Sequence, residues 1–303
     1  MKIKNVALIG LGAIGTVYGH LLYQKYGVDF SIIANGARKR RLEKDGAILN
    51  HQTFTPRILS APESEKIDFL IVCVKNYQLD DAITDMRPFL KNDTVILTLL
   101  NGITAKDRLS EAFPGNTVLY GLSIYIDALK TADGVTNTLN GIIQFGNADN
   151  TVPSEEVLAV HEFLTNAGIE AQICTDMIYT IWRKWLMNVG INQVSAITGS
   201  PYGRLVDVES TRILVHDAMM EVVALAQSKG IGLTEEDIFA FERILTDFSP
   251  NGKTSMLQDV QAKRKTEVDS FSGTVLKLGK LQQIPTPVNH VLFHLIKSIE
   301  ALY

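Results

Sequence analysis

No run of about 18 apolar residues occurs in the chain, so no membrane-spanning helix is predicted. Cysteine is almost missing. Cys73 and Cys174 are the only two, too few for a disulfide scaffold. Set in apolar, strand-like runs, they read as buried thiols that suit a reducing cytoplasm. Excess basic charge is also lacking: 29 Lys and Arg face 33 Asp and Glu, for a net charge of −4. That balance argues against a broad nucleic-acid footprint. The one basic cluster, Arg38-Lys-Arg-Arg41, reads as a solvated helix face. Six histidines gather into no site. His290 and His294 have helical spacing but no third ligand, so no metal is expected. Lys2 and Lys4 precede an apolar stretch in the manner of a signal peptide, but no plausible cleavage site ends it.

That apolar stretch has a better explanation. Residues 6–15 read Val-Ala-Leu-Ile-Gly-Leu-Gly-Ala-Ile-Gly, an apolar run closing in Gly10-x-Gly12-x-x-Gly15. A helix-like segment follows to about Tyr26, then a second apolar run from Phe30 to Ala34. Strand, glycine turn, helix and strand open a dinucleotide-binding domain. Gly10 permits the tight turn. Gly12 lets a pyrophosphate approach the backbone. Gly15 lets the helix pack close. Leu11, Ala13 and Ile14 complete the stretch that would face the cofactor, at a helix N-terminus with free N–H groups.

Length suggests two domains, since 303 residues exceed one comfortable core. The first half alternates short apolar runs at Asn5–Ile9, Phe30–Ala34, Phe69–Val74 and Thr94–Thr98 with helical stretches at 37–45, 79–89 and 105–113. This predicts a mostly parallel, doubly wound sheet. Thr117–Gly146 reads as an antiparallel extension with turns at Ala132-Asp-Gly134 and Asn140-Gly141. A helix over 154–166 and a short strand over 169–174 close this half. Beyond Thr175 strand signals nearly vanish, and helices are expected over 178–197, 210–229, 235–246, 255–280 and 288–302. The expected division is therefore 1–175, a Rossmann domain, and 176–303, an all-α domain, with a substrate cleft between them.

Two regions of the second half carry chemistry. Lys184, Asn188 and Asn192 are spaced i, i+4, i+8 and drift only about 40° per step on an ideal helix, forming one polar stripe among Leu186, Met187, Val189 and Ile191. The stripe lines either a wet cavity or the solvent side of the helix. Ser255 and Gln258 fit a capping box. Glu267 lies twelve residues on, about 120° around an ideal helix from Ser255. In the first half, Lys75 and Asn101-Gly102 stand at strand carboxyl ends, as ligand contacts or as plain turn residues.

The chain resembles the ketopantoate (2-dehydropantoate 2-) reductases along its length. The resemblance is carried by the glycine fingerprint, Val74-Lys75, Asn101-Gly102, Lys184-x-x-x-Asn188-x-x-x-Asn192, Thr254-Ser-Met-Leu-Gln-Asp259, Lys265-Thr-Glu267 and Ile284-Pro-Thr-Pro-Val288. It implies a Rossmann domain joined to a helical domain similar to that of 6-phosphogluconate dehydrogenase. It also implies NADPH-dependent reduction of 2-dehydropantoate to pantoate, a step of pantothenate biosynthesis. Lys184 would be the catalytic lysine and Glu267 its acidic partner. Asn101, Asn188, Asn192 and Ser255 would position substrate. A second copy of the chain is a candidate partner.

Two positions depart from the family pattern. Asn35 stands where many members carry the arginine that binds the 2′-phosphate of NADP, so NADP(H) and NAD(H) both stay open. Tyr202 stands where the family often has a substrate-contacting asparagine, in Pro201-Tyr-Gly203. A pocket altered in this way suits the family's NAD-dependent D-2-hydroxyacid (mandelate-type) dehydrogenases, which are the leading alternative. A 3-hydroxyacid dehydrogenase would share the architecture. A non-catalytic dinucleotide sensor is the alternative of another class, though it needs no proton donor such as Lys184.

Overall fold

The computed structural model describes residues 2–61, 65–246 and 248–303. It divides into two compact units, Met1–Met177 and Ile178–Tyr303.

The first unit contains β1 (Val6–Ile9), α1 (Ala13–Tyr26), β2 (Phe30–Ile33), α2 (Gly36–Asp45), β3 (Ala47–Leu49), β4 (Gln52–Phe54), β5 (Arg57–Leu59), β6 (Phe69–Val72), α3 (Leu79–Met86), β7 (Val95–Thr98) and α4 (Ala105–Ala112). It continues with β8 (Val118–Ile126), β9 (Leu129–Thr131), β10 (Gly134–Thr136), β11 (Asn140–Gly146), α5 (Glu155–Asn166) and β12 (Ala171–Ile173). Eight strands form one sheet in the order β12-β11-β8-β7-β6-β1-β2-β5, and a small second sheet runs β4-β3-β10-β9. From β5 to β8 every pairing in the large sheet is parallel, and β11 adds antiparallel to β8.

The strands are fully buried on both faces, which is why they read as unbroken apolar runs. Successive side chains feed opposite cores. Leu8, Ile32, Ile71 and Leu97 meet Val17, Tyr18 and Leu22 of α1 and Val160 and Leu164 of α5. Ile9, Ile33, Val72 and Ile96 meet Ala82 and Met86 of α3 and Leu109 of α4.

Register then fixes where ligand-binding loops emerge. Ile9 pairs with both Ile33 and Val72, and Val72 pairs with Thr98. Four strands therefore end level, and Gly10, Asn35, Lys75 and Asn101 follow within three residues of those ends.

The second unit is helical: α6 (Met177–Met187, its first residue belonging to the first unit), a π-turn (Asn188–Asn192), α7 (Gln193–Thr198), α8 (Tyr202–Asp207), α9 (Glu209–Ser228), α10 (Glu235–Leu245), α11 (Ser255–Gln261), α12 (Ser272–Gln282) and α13 (Pro287–Glu300). Its centre is polar. Gln193 donates to the Val189 carbonyl at 2.6 Å and to Asn289 Oδ1 at 3.3 Å. Ser272 Oγ lies within hydrogen-bonding distance of Gln193 Oε1 and, at 2.9 Å, of Asn289 Oδ1, two acceptors that share its one proton. Asn289 Nδ2 reaches the Ala218 carbonyl and Glu221. The Glu221 carboxylate also accepts the Val288 and Asn289 amides at 2.7 and 3.0 Å, satisfying free N–H groups where α13 begins. One network thus ties α7, α9, α12 and α13.

Several expectations need correction. The stretch 255–280 is not one helix. Lys263 N–H bonds to the Val260 carbonyl and Arg264 N–H to that of Asp259, with Lys263 at φ +51°. This is a Schellman stop with lysine where glycine is usual. Asn140-Gly141 is no turn. It starts β11, because Asp127 accepts the Thr138 and Leu139 amides and closes the preceding loop itself. Strands β3, β4 and β5 and helix α8 were not expected. Cys73 and Cys174 are half-buried rather than buried.

Two tests follow from the packing. A Cβ at Gly15 would lie 2.0 Å from the Gly10 carbonyl oxygen. Gly15→Ala should lower unfolding stability by about 2–3 kcal/mol in denaturant titration. Asn289→Leu strands Gln193, Ser272 and Glu221 together and should cost about 3 kcal/mol or more by the same measurement.

Candidate functional site

In the first unit the glycine turn is shaped by close contact. Gly10 holds φ +104°, and a Cβ there would stand 2.6 Å from the Val74 nitrogen. Gly12 differs: its Cβ would meet nothing nearer than the Cys73 oxygen at 3.9 Å. The backbone at Gly12 is thus open on the side where the helix N-terminus begins, the cradle a pyrophosphate requires. Gly12 forms the N-cap of α1 with no side-chain cap, so Ala13, Ile14 and Gly15 begin the helix with their amides uncapped by a side chain. These residues fit a dinucleotide.

The neighbouring loops are braced to one another. Lys75 precedes a short 3₁₀ turn at Asn76–Gln78. Asn76 Nδ2 donates to the Asn101 carbonyl at 2.7 Å, joining the loops after β6 and β7. Asn35 Nδ2 donates to Asp85 Oδ1 of α3 at 2.8 Å. Lys130 of β9 donates to the Leu11 carbonyl at 2.8 Å, bringing a cation onto the glycine turn. Asp85 and Lys130 were missed by sequence reasoning. Each lies 50 or more residues from its partner, and neither belongs to a local motif.

In the second unit the polar stripe takes shape around the π-turn. Asn188 and Asn192 are both buried, and Asn192 Nδ2 donates to Asn188 Oδ1 at 3.0 Å. The buried Asn188 Nδ2 has no hydrogen-bond partner among the described residues. A buried donor without a partner is costly, and π-turns recur at functional sites. Of the two readings of the stripe, the solvent-facing one therefore fails for both asparagines.

Lys184 lies one turn earlier and is half-buried. Burial lowers its pKa to about 8, while the charge of Glu267 pulls the other way. Glu267 is itself buried, in the turn before Val268–Ser270. That turn is fastened to α6, since Trp185 Nε1 donates to the Ser270 carbonyl at 3.0 Å. The residue beside Lys184 thus positions the turn bearing Glu267.

Ser255 is the first residue of α11 and exposed, and the cap is Thr254, which accepts the Leu257 amide at 3.2 Å. Its hydroxyl also reaches Ser195 Oγ of α7 at 3.1 Å, docking the start of α11 beside the stripe helix. The helix stops at Gln261, so the angular relation of Ser255 to Glu267 on one ideal helix does not apply. Tyr202 opens α8. Its ring packs on Phe248 at 5.1 Å, its amide donates to the Gly252 carbonyl, and burial raises its pKa.

The family model "Ketopantoate reductase PanE/ApbA" matches residues 6–150, and "Ketopantoate reductase PanE/ApbA C terminal" matches residues 176–300. A 2-dehydropantoate 2-reductase of Pyrococcus horikoshii is 28% identical, with 98% of each chain covered. The crystal structure of a PanE/ApbA family ketopantoate reductase from Ralstonia eutropha superimposes with a TM-score of 0.85 at 26% identity, covering 98% of each chain. A D-mandelate dehydrogenase with NADH and anilino(oxo)acetate gives 0.87 at 24% identity, again over 98% of each chain, a likeness of fold.

One measurement isolates the charge coupling. Glu267→Gln should move the Lys184 pKa below about 8, read by an NMR titration of the lysine side chain. An unchanged titration would mean that Glu267 does not act on this ammonium.

Proposed function

The chain belongs to the ketopantoate reductase family of NAD(P)-dependent oxidoreductases, and from that premise we propose that it reduces a 2-oxo acid to a D-2-hydroxy acid, 2-dehydropantoate first among candidates. The observation that carries this reading is a half-buried lysine with a pKa near 8, next to a buried carboxylate and a buried amide donor without a partner.

A reduced nicotinamide dinucleotide, when bound, supplies the hydride that the carbonyl carbon accepts. Negative charge then develops on the carbonyl oxygen. The Lys184 ammonium meets that oxygen, stabilises the charge and donates its proton, which completes the hydroxyl. A pKa of about 8 keeps the donor protonated below that pH and releases the proton more readily than an ordinary lysine would. Glu267 opposes the desolvation that would otherwise discharge the ammonium. The Asn188 amide donates to a substrate oxygen. Asn192 orients it through their mutual hydrogen bond. Ser255 and Asn101 add neutral contacts that bring no competing charge. The backbone from Gly10 to Gly15, including Leu11, Ala13 and Ile14, holds the pyrophosphate, with Lys75 and Asn35 beside it.

Tyr202 supports a second reading, a mandelate-type dehydrogenase acting on an aromatic 2-hydroxy acid. Its half-buried ring, at the start of α8, pairs with that of Phe248, which lies between α10 and α11.

A panel of 2-oxo acids, run with NADH and with NADPH and followed at the reduced-nicotinamide absorbance band, tests these readings. Turnover of 2-dehydropantoate supports the first, and preference for an aromatic 2-oxo acid supports the second. A flat trace throughout would leave a dinucleotide sensor. Lys184→Ala should lower turnover by about 10²–10⁴-fold while cofactor binding persists. Because the donor must be protonated, reduction should fall as pH rises through about 8. In Glu267→Gln that decline should begin at lower pH.

A further inference from the structure

The level strand ends of the first unit open onto a cavity of about 230 Å³ whose apolar walls include Ile9 and Val74. Its polar lining is uneven: Asn35, Gln78, Asp81 and Asp85 face it, with Arg38 as the single cation among the described lining residues. Two carboxylates thus oppose one guanidinium. Two other cations of this region are engaged elsewhere, while Lys75 directly follows the lining residue Val74. Lys39 donates to Ser60 Oγ at 2.5 Å, and Arg108 pairs with Asp80 at 2.5 Å.

Hydrogen bonding sharpens the pattern. Asn35 spends an N–H on Asp85, so its carbonyl oxygen remains as an acceptor beside the second carboxylate oxygen. At Asn35 and Asp85 the wall therefore offers acceptors and negative charge, while Arg38 and Gln78 supply donors elsewhere on it. A ribose hydroxyl can donate to those acceptors. A 2′-phosphate brings acceptors only, with a charge of about −1.5 to −2 at neutral pH. We propose that Asp85, braced by Asn35, selects an unphosphorylated adenosine ribose and makes this chain prefer NADH to NADPH. The carboxylate that NAD-binding folds often carry at the end of β2 is supplied here from α3, across the cavity. The proposal rests on the dinucleotide reading of the glycine turn, and not on which 2-oxo acid is reduced.

Isothermal titration calorimetry of the whole protein with NADH and with NADPH, at one fixed ionic strength, tests it without turnover. Wild type should bind NADH at least about tenfold more tightly. Asp85→Asn should shrink that preference to about threefold or less, because the repulsion and the strong acceptor leave together. Asp85→Lys should reverse it. Equal or tighter NADPH binding by wild type, or an unchanged ratio in Asp85→Asn, would overturn the assignment. Failure of both nucleotides to bind would overturn the dinucleotide reading and this assignment with it. Tight NADH binding without reduction of any 2-oxo acid would count against the reaction alone.

Discussion

The helical unit depends on how one side chain is held. Gln193 donates to Val189, within the π-turn, and is itself gripped by Ser272 and Asn289. A π-turn wastes regular helical pairing, and it persists only where other groups compensate. Here the compensation comes from three other helices, with Glu221 anchoring the far side of the network. Every member is buried, so each depends on the others for its hydrogen bonds. The reward is a fixed aim for Asn188 and Asn192 on the very turn that Gln193 secures.

Opposite electrostatic problems are solved in the two units. Around Lys184, burial works against a charge, and Glu267 restores part of the balance. The outcome is an ammonium that gives up its proton near pH 8. At the end of β2 the wall is acidic, and Asn35 ties one carboxylate in place without neutralising it. The first arrangement suits a proton that must move. The second suits a static choice between two ligands that differ by one phosphate.

Much of this was legible in the sequence, for physical reasons that differ by region. Strands buried on both faces show as unbroken apolar runs, so β1, β2, β6 and β7 stood out. Strands β3 to β5 are three residues each, too short to show a period. The stripe from Lys184 to Asn192 was visible because i, i+4 spacing survives in any helix-like turn, while the π-geometry left no mark on composition. The stop after Gln261 was hidden because Lys263 takes a backbone conformation usually left to glycine. Asp85 was hidden for another reason. Its role arises from meeting Asn35 across the sheet end, and a chain read in order does not reveal which surface residues converge.

The close contact between Gly15 and the Gly10 carbonyl has a thermodynamic corollary. Lys130 also donates to the Leu11 carbonyl, so the glycine turn is held by close packing and by a side chain from β9. A turn held in this way has less conformational entropy to lose when a ligand docks on its amides, and preorganisation of that kind converts more of each contact into affinity.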